Sequence, residues 1–228
     1  MTGLSAMVFA AGFGTRMGAL TRNCPKALIP VGGTTLLDRT LALVAEAGIG
    51  RVVVNAHYLG GRIEAHLAGR DIRVSLEEPE ILDTGGGLKA ALPLLGADPV
   101  FTANSDAVFD GPNPFGTLRA AWDPEGMEAL LLLAPLQRAV GRRQGGDFAL
   151  APDGRLRRGG DFVYTGVQIL RTQRVAAHSG RVFSLNRIWS EMEAAGGLFG
   201  TVHPGRWCDV GHPEGIALAE GVLEERGV

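Results

Sequence analysis

The sequence predicts an α/β fold built on a mostly parallel sheet with helices on both faces. Short apolar runs typical of buried strands alternate with segments of helical spacing over residues 6–133, an order that favours a doubly wound sheet. Apolar residues make up 46% and charged residues 20% of the chain, a globular composition that excludes disorder. Gly accounts for 34 of the 228 residues, about twice its usual share, which indicates many tight turns. The predicted class is therefore a Rossmann-like α/β fold.

Each element in this alternation is predicted from its own pattern. Strands are placed where apolar and β-branched residues run together, as in RVVVN at residues 51–55, and helices where apolar residues recur every three or four positions. Thr34 or Thr35 is the expected cap of the first long helix, and Gly48 follows its end. In chain order the prediction is strand 6–11, helix 34–47, strand 51–55, helix 60–67, strand 72–76, helix 86–95, strand 100–104, helix 114–122 and strand 128–133.

The alternation of strands and helices changes after residue 140. Residues 147–150 and 155–158 are predicted to form a hairpin around the Pro-Asp-Gly turn at 152–154. A strand over 162–170, a helix over 185–195 and an amphipathic helix over 213–226 complete the prediction. No repeat, low-complexity tract or linker divides the chain. We therefore expect residues 1–228 to form one domain, with a small β-rich lobe at about 140–205.

Charge, hydropathy and cysteine content exclude several classes of protein. The 22 basic and 24 acidic residues give a net charge of −2, so no strong field favours nucleic acid or an anionic membrane. The apolar stretch near the start has no Lys or Arg before it, and the run ALLLLAP at 129–135 is too short to span a bilayer. Cys24 and Cys208 are far apart and form no C-x-x-C pair, which indicates a reducing compartment. We expect a cytoplasmic protein.

The strongest chemical signal is the segment AAGFGTRM at residues 10–17, directly after the first predicted strand. Glycines after a strand expose backbone N–H groups to a phosphate, and a following arginine adds positive charge. The segment is neither the dinucleotide fingerprint, because residue 17 is Met, nor a Walker A loop, because no G-K-[ST] follows. Lys26, one of only two lysines, follows Pro25 and can act as a point charge on a phosphate. The alternative is a tight turn followed by a solvated lysine.

The pattern A-A-G-x-G-T-R-M followed by P-K-x-L resembles the sugar-1-phosphate nucleotidyltransferase family, with Ala27 where a proline is frequent. Members of that family join a nucleoside triphosphate to a sugar 1-phosphate and release pyrophosphate. The resemblance implies that Arg16 and Lys26 are catalytic residues that bind the triphosphate. The turn LDTGGG at 82–87 resembles the base-reading turn of the family, where a close approach of the backbone requires glycine. The nucleotide-binding residues implied in this way are Ala11, Gly12, Gly14, Thr15, Asp83, Thr84, Gly85 and Asn104.

Two aspartates lie in segments that resemble the metal-binding carboxylates of the family. Asp106 follows the fourth strand of the alternation, with Ser105 in place of the usual glycine. Asp209 lies in WCDVG at 207–211, which resembles the W-x-D-V-G segment of the family. The resemblance implies that both bind Mg²⁺, which suits one or two carboxylates together with phosphate oxygens and water. Taken alone, each aspartate would be interpreted as a helix cap.

Within the family, the resemblance is closest to the N-acetylmuramate α-1-phosphate uridylyltransferases, on the strength of residues 54–59, 83–87 and 146–148. It implies UTP and N-acetylmuramate 1-phosphate as substrates, with sugar contacts at Asp147, Thr165 and Gly166. A guanylyl-, thymidylyl- or cytidylyltransferase acting on another phosphorylated sugar or on phosphocholine is the first alternative. A non-catalytic, nucleotide-sensing subunit on the same fold is the second. We expect small-molecule partners, with no nucleic acid or membrane, and a monomer or small homo-oligomer.

Arginine is concentrated in one stretch of the chain. Six of the 20 arginines lie within residues 138–158, namely Arg138, Arg142, Arg143, Arg155, Arg157 and Arg158. One explanation is a solvated hairpin face; the other is an anion site beside the sugar pocket. N-acetylmuramate carries a lactyl carboxylate, and a pocket that takes it must supply a cation or amide donors. On the second explanation, the sequence predicts that Arg142 and Arg143 together bind this carboxylate.

Overall fold

The computed structural model describes residues 3–225, so the predicted end of the last helix at Arg226 lies outside the described residues. The strands are β1 (Ser5–Phe9), β2 (Pro30–Val31), β3 (Thr34–Thr35), β4 (Arg51–Ala56), β5 (Ile72–Leu76), β6 (Val100–Asn104), β7 (Ala107–Phe109), β8 (Ala129–Pro135), β9 (Ala139–Val140), β10 (Phe148–Leu150), β11 (Leu156–Arg158), β12 (Phe162–Leu170), β13 (Leu198–Val202) and β14 (Trp207–Asp209). The α-helices are α1 (Leu36–Glu46), α2 (Gly60–Leu67), α3 (Asp83–Leu95), α4 (Pro114–Ala121), α5 (Gln173–Ala177), α6 (Leu185–Ala194) and α7 (Glu214–Glu224). Short 3₁₀ helices cover Thr15–Thr21, Lys26–Leu28 and Leu136–Arg138.

Nine strands form one mixed sheet whose core is parallel. Strands β5, β4, β1 and β6 lie side by side in that order, and Val8 of β1 pairs with Val54 of β4 and Ala103 of β6. This half confirms the predicted parallel sheet. Strand β12 is antiparallel to both β6 and β8, and the chain passes from β8 to β12 through β9 and the paired strands β10 and β11 instead of a helical crossover.

The segment predicted as a small β-rich lobe is continuous with this sheet. Strands β10 and β11 form the predicted hairpin, and β10 pairs with the first residue of β12. Strand β12 lies between β6 and β8, and β13 extends the sheet beyond β8. The residues expected to bind the sugar are thus on the antiparallel continuation of the strands that carry the glycine-rich loop.

Helices pack on both faces of the sheet, as predicted. Successive residues of β1 alternate between the faces, since Ala6 and Val8 join one apolar cluster and Met7 joins the other. The first cluster contains buried residues of α1, α2 and α4, and the second contains those of α3 and α6. Within residues 3–225, no helix is long and apolar enough to cross a bilayer.

Several elements differ from the prediction. Helix α3 begins at Asp83, three residues before the predicted start, because tertiary packing overrides the low helix propensity of three consecutive glycines. The elements that were not predicted are strands β2, β3, β7, β9, β13 and β14 and helix α5. The short strands β7 and β14 pair antiparallel, with Asp209 opposite Ala107. This pairing brings Asp209 next to the end of β6, although the two segments are about a hundred residues apart in the sequence.

Candidate active site

The candidate site lies at the carboxyl ends of β1, β4 and β6, the edge of the sheet where such folds bind ligands. Asn55, at the end of β4, accepts a hydrogen bond from the Ala10 N–H at 2.7 Å and donates one to Glu77 at 2.6 Å. Glu77 in turn accepts a bond from the Leu82 N–H at 2.7 Å. This buried pair therefore fixes the start of the glycine-rich loop relative to the turn that leads into α3.

Two adjoining cavities open at this edge. The first, of about 280 Å³, is lined by residues that include Ala11, Gly12, Lys26, Asp83, Thr84, Asn104 and Asp106. The second, of about 400 Å³, is lined by residues that include Arg16, Asp83, Thr84, Asn104, Asp106, Asp147, Gly166 and Asp209. Because Asp83, Thr84, Asn104 and Asp106 line both, the cavities form one continuous site.

The charged residues predicted to be catalytic or metal-binding come together where the cavities meet. Lys26 Nζ lies 2.6 Å from Asp106 Oδ2, and the lysine side chain is only 13% exposed. Burial and the negative charge of Asp106 raise the pKa of Asp209, while Lys26, Arg16 and Arg142 partly offset this rise. A Cβ atom on Gly211 would lie 3.0 Å from both carboxylate oxygens of Asp209 and 3.3 Å from an Arg16 nitrogen. Two cations and two carboxylates thus share one small volume.

The residues of the glycine-rich loop differ in how open they are to a ligand. Gly12 is exposed, and a Cβ atom there would meet nothing within 4 Å, so its backbone is open to a ligand. Gly14 has φ +63°, and a Cβ atom there would lie 2.9 Å from Lys26 Cβ, which explains why this position is glycine. Gly14 and Thr15 line neither cavity, and their predicted contacts with the nucleotide stay predictions.

The turn that begins α3 differs in detail from its predicted role. Asp83 and Thr84 line both cavities, and the Thr84 hydroxyl accepts a hydrogen bond from the Leu185 N–H at 3.0 Å. Gly85 instead donates its N–H to the Phe183 carbonyl at 2.9 Å, and a Cβ atom there would overlap the Phe183 ring. This packing explains the glycine. Gly85 lines neither cavity, so its predicted approach to a nucleotide base has no support in the geometry.

Comparisons with known proteins agree with this geometry. Residues 6–192 match the model of the MobA-like NTP transferase domain. The chain belongs to this nucleotidyltransferase family. It is 39% identical to the N-acetylmuramate alpha-1-phosphate uridylyltransferase of Caulobacter vibrioides, over 96% of this chain and 97% of the relative. The protein with the same name from Neisseria meningitidis serogroup B is 33% identical, over 91% and 93%. The crystal structure of HddC from Yersinia pseudotuberculosis complexed with GMP-PN shares the fold, with a TM-score of 0.78 and 18% identity over 96% of this chain and 99% of that one.

Nucleotidyltransferases of this family typically use a divalent metal, and the residues present fit one. Asp106 and Asp209 are close enough for the charge of one to raise the pKa of the other, a repulsion that a cation relieves. In the described part of the chain, no group of three or more His, Cys, Asp or Glu side chains is arranged to hold a metal. A metal here would thus have two carboxylates from the protein and its remaining ligands from substrate and water, as suits Mg²⁺.

The sugar-binding residues predicted for the nucleotidyltransferase fall into two groups. Asp147 lines the second cavity, where its carboxylate pairs with Arg142 at 2.5 Å and accepts a hydrogen bond from the Tyr164 N–H at 2.9 Å. Gly166, with φ +89°, lines the same cavity and lies against the Asn104 side chain. Thr165, by contrast, is 1% exposed and donates its hydroxyl to the Leu132 carbonyl at 2.9 Å. Because side chains alternate along β12, the Thr165 side chain points into the core and away from the cavity, and its predicted sugar contact stays a prediction.

The arginines of residues 138–158 differ in whether they line the site. Arg142 and Arg158 line the second cavity. Arg143 does not: it lies on the exposed surface, 59% exposed, and forms an ion pair with Glu214 at 3.1 Å. Of the two arginines predicted to act together, only Arg142 lines the cavity, and their joint role stays a prediction.

Three functional-site residues had no role assigned from the sequence. Asn55 and Glu77 form the buried link described above, and Tyr58 donates its hydroxyl to the Thr21 and Arg22 carbonyls, both at 3.0 Å. Tyr58 thereby holds the far end of the 3₁₀ helix that carries Arg16. Asn55 and Tyr58 lie within residues 54–59, whose resemblance to the family was visible but gave no mechanism. Glu77 has no signal beyond a charged residue directly after a strand.

Proposed function

We propose that this nucleotidyltransferase joins UTP to N-acetylmuramate α-1-phosphate, giving UDP-N-acetylmuramate and pyrophosphate, a reaction of peptidoglycan recycling. The observation that carries the proposal is the continuous site. Its first cavity is lined by the glycine-rich loop and its second by arginine and aromatic side chains, and the charged residues lie where the two cavities meet. The similarity along almost the whole chain to two proteins named for this reaction supports the same substrates.

The reaction is an in-line displacement at the α-phosphorus of the triphosphate. An oxygen of the sugar phosphate forms the new P–O bond as the bond to the β-phosphate breaks, and pyrophosphate leaves with the electron pair. A phosphate monoester has its second pKa at about 6, so the nucleophile is already mostly a dianion at neutral pH and needs no general base. The protein must therefore supply positioning and charge neutralisation.

Individual residues of the chain divide this task. Lys26, held 2.6 Å from Asp106, places a compact ammonium beside the α-phosphate, where negative charge increases in the transition state. Arg16 and the open backbone at Gly12 bind the departing pyrophosphate. Asp106 and Asp209 would hold Mg²⁺, which neutralises phosphate charge when bound. Asp147, in the second cavity, accepts hydrogen bonds from sugar hydroxyl or amide groups.

The test is a panel of four nucleoside triphosphates against several sugar 1-phosphates, with pyrophosphate release as the readout. We expect UTP with N-acetylmuramate 1-phosphate to exceed UTP with N-acetylglucosamine 1-phosphate by ~10-fold or more, about the value of one good polar contact. Equal rates with both sugars, or a preference for GTP with mannose 1-phosphate, would overturn the substrate and leave a nucleotidyltransferase. Nucleotide binding without any pyrophosphate release would favour a nucleotide-sensing role instead.

A further inference from the structure

Arg158 has an unusual setting at the rim of the second cavity. It lies opposite Phe148 in the β10–β11 hairpin, and its guanidinium carbon is 4.8 Å from the centre of the Phe148 ring. The same carbon is 5.5 Å from the centre of the Trp189 ring. Two aromatic residues therefore hold the guanidinium in a fixed plane, an arrangement that favours Arg over Lys.

The aromatic wall that supports Arg158 is itself held by buried polar contacts. Trp189 donates its indole N–H to Gln168 at 2.9 Å, and the Gln168 amide donates to the Thr102 hydroxyl at 3.0 Å. Both Gln168 and Thr102 are fully buried in the sheet. Because Trp189 is fixed in this way, Arg158 is positioned before a ligand arrives, which reduces the entropic cost of binding one.

The hydrogen-bonding capacity of Arg158 is largely unused within the described residues. Its guanidinium makes one hydrogen bond, from Nη2 to the Asn186 carbonyl at 3.1 Å. The nearest carboxylate is that of Glu193, which lies 4.0 Å from Arg158 Nε and already accepts the backbone N–H of Arg158 at 3.2 Å. Burial lowers the pKa of Arg158, while Glu193 and Asp147 partly restore it. A guanidinium has five donors, so most of this fork is available to an anion.

Each of the other arginines of residues 138–158 either pairs with a carboxylate or lies outside the two cavities. Arg142 pairs with Asp147 at 2.5 Å and also donates to the Gly145 carbonyl. Arg143 is bound to Glu214, and Arg155 pairs with Asp153 at 2.5 Å on the exposed turn of the hairpin. Arg157 lines neither of the two cavities that form the site. Arg158 is the cation of this stretch that lines the site without a carboxylate at hydrogen-bonding distance.

We propose that Arg158 is the specificity-determining residue that binds a carboxylate carried by the sugar of the sugar 1-phosphate. The inference rests on the proposed function and adds to it the group that selects the sugar. In this arrangement the phosphate of the sugar 1-phosphate lies beside Lys26 and Asp106, and the sugar extends along the second cavity to its rim. There Arg158 forms two charge-assisted hydrogen bonds with the carboxylate. A sugar without this group leaves the fork unpaired and gains nothing from it.

The experiment compares Arg158→Met and Arg158→Lys with the wild type on three substrates: N-acetylmuramate 1-phosphate, its lactyl amide, and N-acetylglucosamine 1-phosphate. We expect Arg158→Met to lower kcat/KM for the carboxylate-bearing sugar by ~10-fold or more and to change the other two by less than about twofold. Arg158→Lys should recover part of the loss. Arg157→Met, on the neighbouring residue of the same strand, is the matched control and should change none of the three. The KM for UTP and the melting temperature are measured for every variant.

The outcomes separate this inference from the function on which it rests. A wild type that treats the acid and its amide alike overturns the role of Arg158, and it overturns the proposed substrate as well only where N-acetylglucosamine 1-phosphate reacts equally fast. A wild type that prefers the acid, with the same preference in Arg158→Met, overturns the role of Arg158 alone. An equal loss on all three sugars in Arg158→Met would also overturn it, because the residue would then support the fold of the pocket without reading the carboxylate.

Discussion

The carboxylate of Asp209 lies in an environment that opposes its own charge. Asp209 is partly buried and faces Asp106, and both effects raise its pKa, which a function unrelated to cations would not require. We predict that Asp106→Asn and Asp209→Asn each lower turnover by at least ~10²-fold, as the loss of transition-state charge stabilisation does. Pyrophosphate release at saturating Mg²⁺ measures this effect. Asp153→Asn, on the exposed hairpin turn, is the control, and near-normal activity in either site variant would exclude these residues as metal ligands.

Lys26 supplies positive charge to the same centre, and substitutions of this lysine test that role. If its ammonium neutralises the α-phosphate in the transition state, Lys26→Ala should lower kcat and not merely raise the KM for UTP. The expected loss is about 2–4 kcal/mol of transition-state stabilisation. Lys26→Arg should not restore the rate, because a planar fork does not replace a compact ammonium at 2.6 Å from Asp106. Lys89, the other lysine, lines neither cavity of the site, and Lys89→Ala serves as the control.

An unchanged kcat in Lys26→Ala would be informative in its own way. With only a raised KM, the lysine would contribute equally to the ground state and the transition state, and its role would be substrate binding. Rapid-quench measurement of a single turnover separates the two cases when product release limits kcat.

At the scale of elements, the start of α1 depends on one carboxylate. Asp38 bonds the Thr35 hydroxyl at 2.7 Å, Arg70 at 2.6 Å and His66 at 2.9 Å, so it links α1 to α2 and the residues after it. Burial raises the pKa of Asp38, but these hydrogen bonds outweigh burial and leave its pKa below the ordinary value of 3.8. A depressed folded-state pKa means that Asp38 stabilises the fold above its unfolded pKa, and that this stability is lost as pH falls through the folded pKa.

We therefore predict that Asp38→Asn lowers the free energy of unfolding by about 1 kcal/mol at pH 7, a value reduced for the partial exposure of the site. The melting temperature should fall by about 2–4 °C. Urea unfolding of both proteins at a series of pH values checks the sign: the difference should hold near pH 7 and disappear well below pH 3.8. Asp71→Asn, at an exposed aspartate without an ion pair in the described contacts, should show no such trend. A difference that stays constant down to acid pH would contradict the argument.

The elements that the sequence predicts well are those with a strong local period. The strand at 51–55 and the helix at 60–67 are found almost unchanged, because buried apolar runs and amphipathic patterns carry their own signal. Strand β14 is different: its three residues gain their conformation from pairing with β7 and β9, which no local pattern encodes. Helix α3 also depends on distant contacts, since Gly85 and Gly86 donate their N–H groups to the carbonyl of Phe183, about a hundred residues later.

The same distinction holds for the site. Arg16, Lys26, Asp106 and Asp209 could be singled out because each lies in a short motif that resembles a known family, and the structure brings all four together. The sequence could not show that the Thr165 side chain points away from the cavity, nor which arginines of residues 138–158 line it, and both have the same cause. Which face of a strand looks into a cavity depends on the register of the antiparallel half, which is fixed by pairing between strands and not by the residues of one strand.

At the scale of the whole molecule, the two halves of the sheet divide the substrates between them. The parallel half carries the glycine-rich loop, Lys26 and the turn at Asp83, whereas the antiparallel half carries Asp147 and Gly166. The two halves join where β6 pairs with β12, and Ala103 opposite Val167 is the last pair at the carboxyl end of β6. Asn104 and Asp106, which line both cavities, come just after Ala103 in the chain. We therefore expect the reaction to take place where the two halves of the sheet meet. UTP would be bound mainly by the parallel half and the sugar 1-phosphate mainly by the antiparallel half.

This division makes a prediction about binding. Asp147→Asn should raise the KM for the sugar 1-phosphate by ~10-fold, because a charge-assisted hydrogen bond to the sugar is lost, and should leave the Kd for UTP unchanged. Isothermal titration with UTP and Mg²⁺, together with the thermal stabilisation that UTP confers, reports the nucleotide half separately. Asp161→Asn, in the same half but lining neither cavity, is the control. The contrary result is that Asp147→Asn weakens UTP binding as strongly as sugar binding. The two halves would then act as one binding unit, because Arg142 pairs with Asp147 and its charge also acts on Asp209.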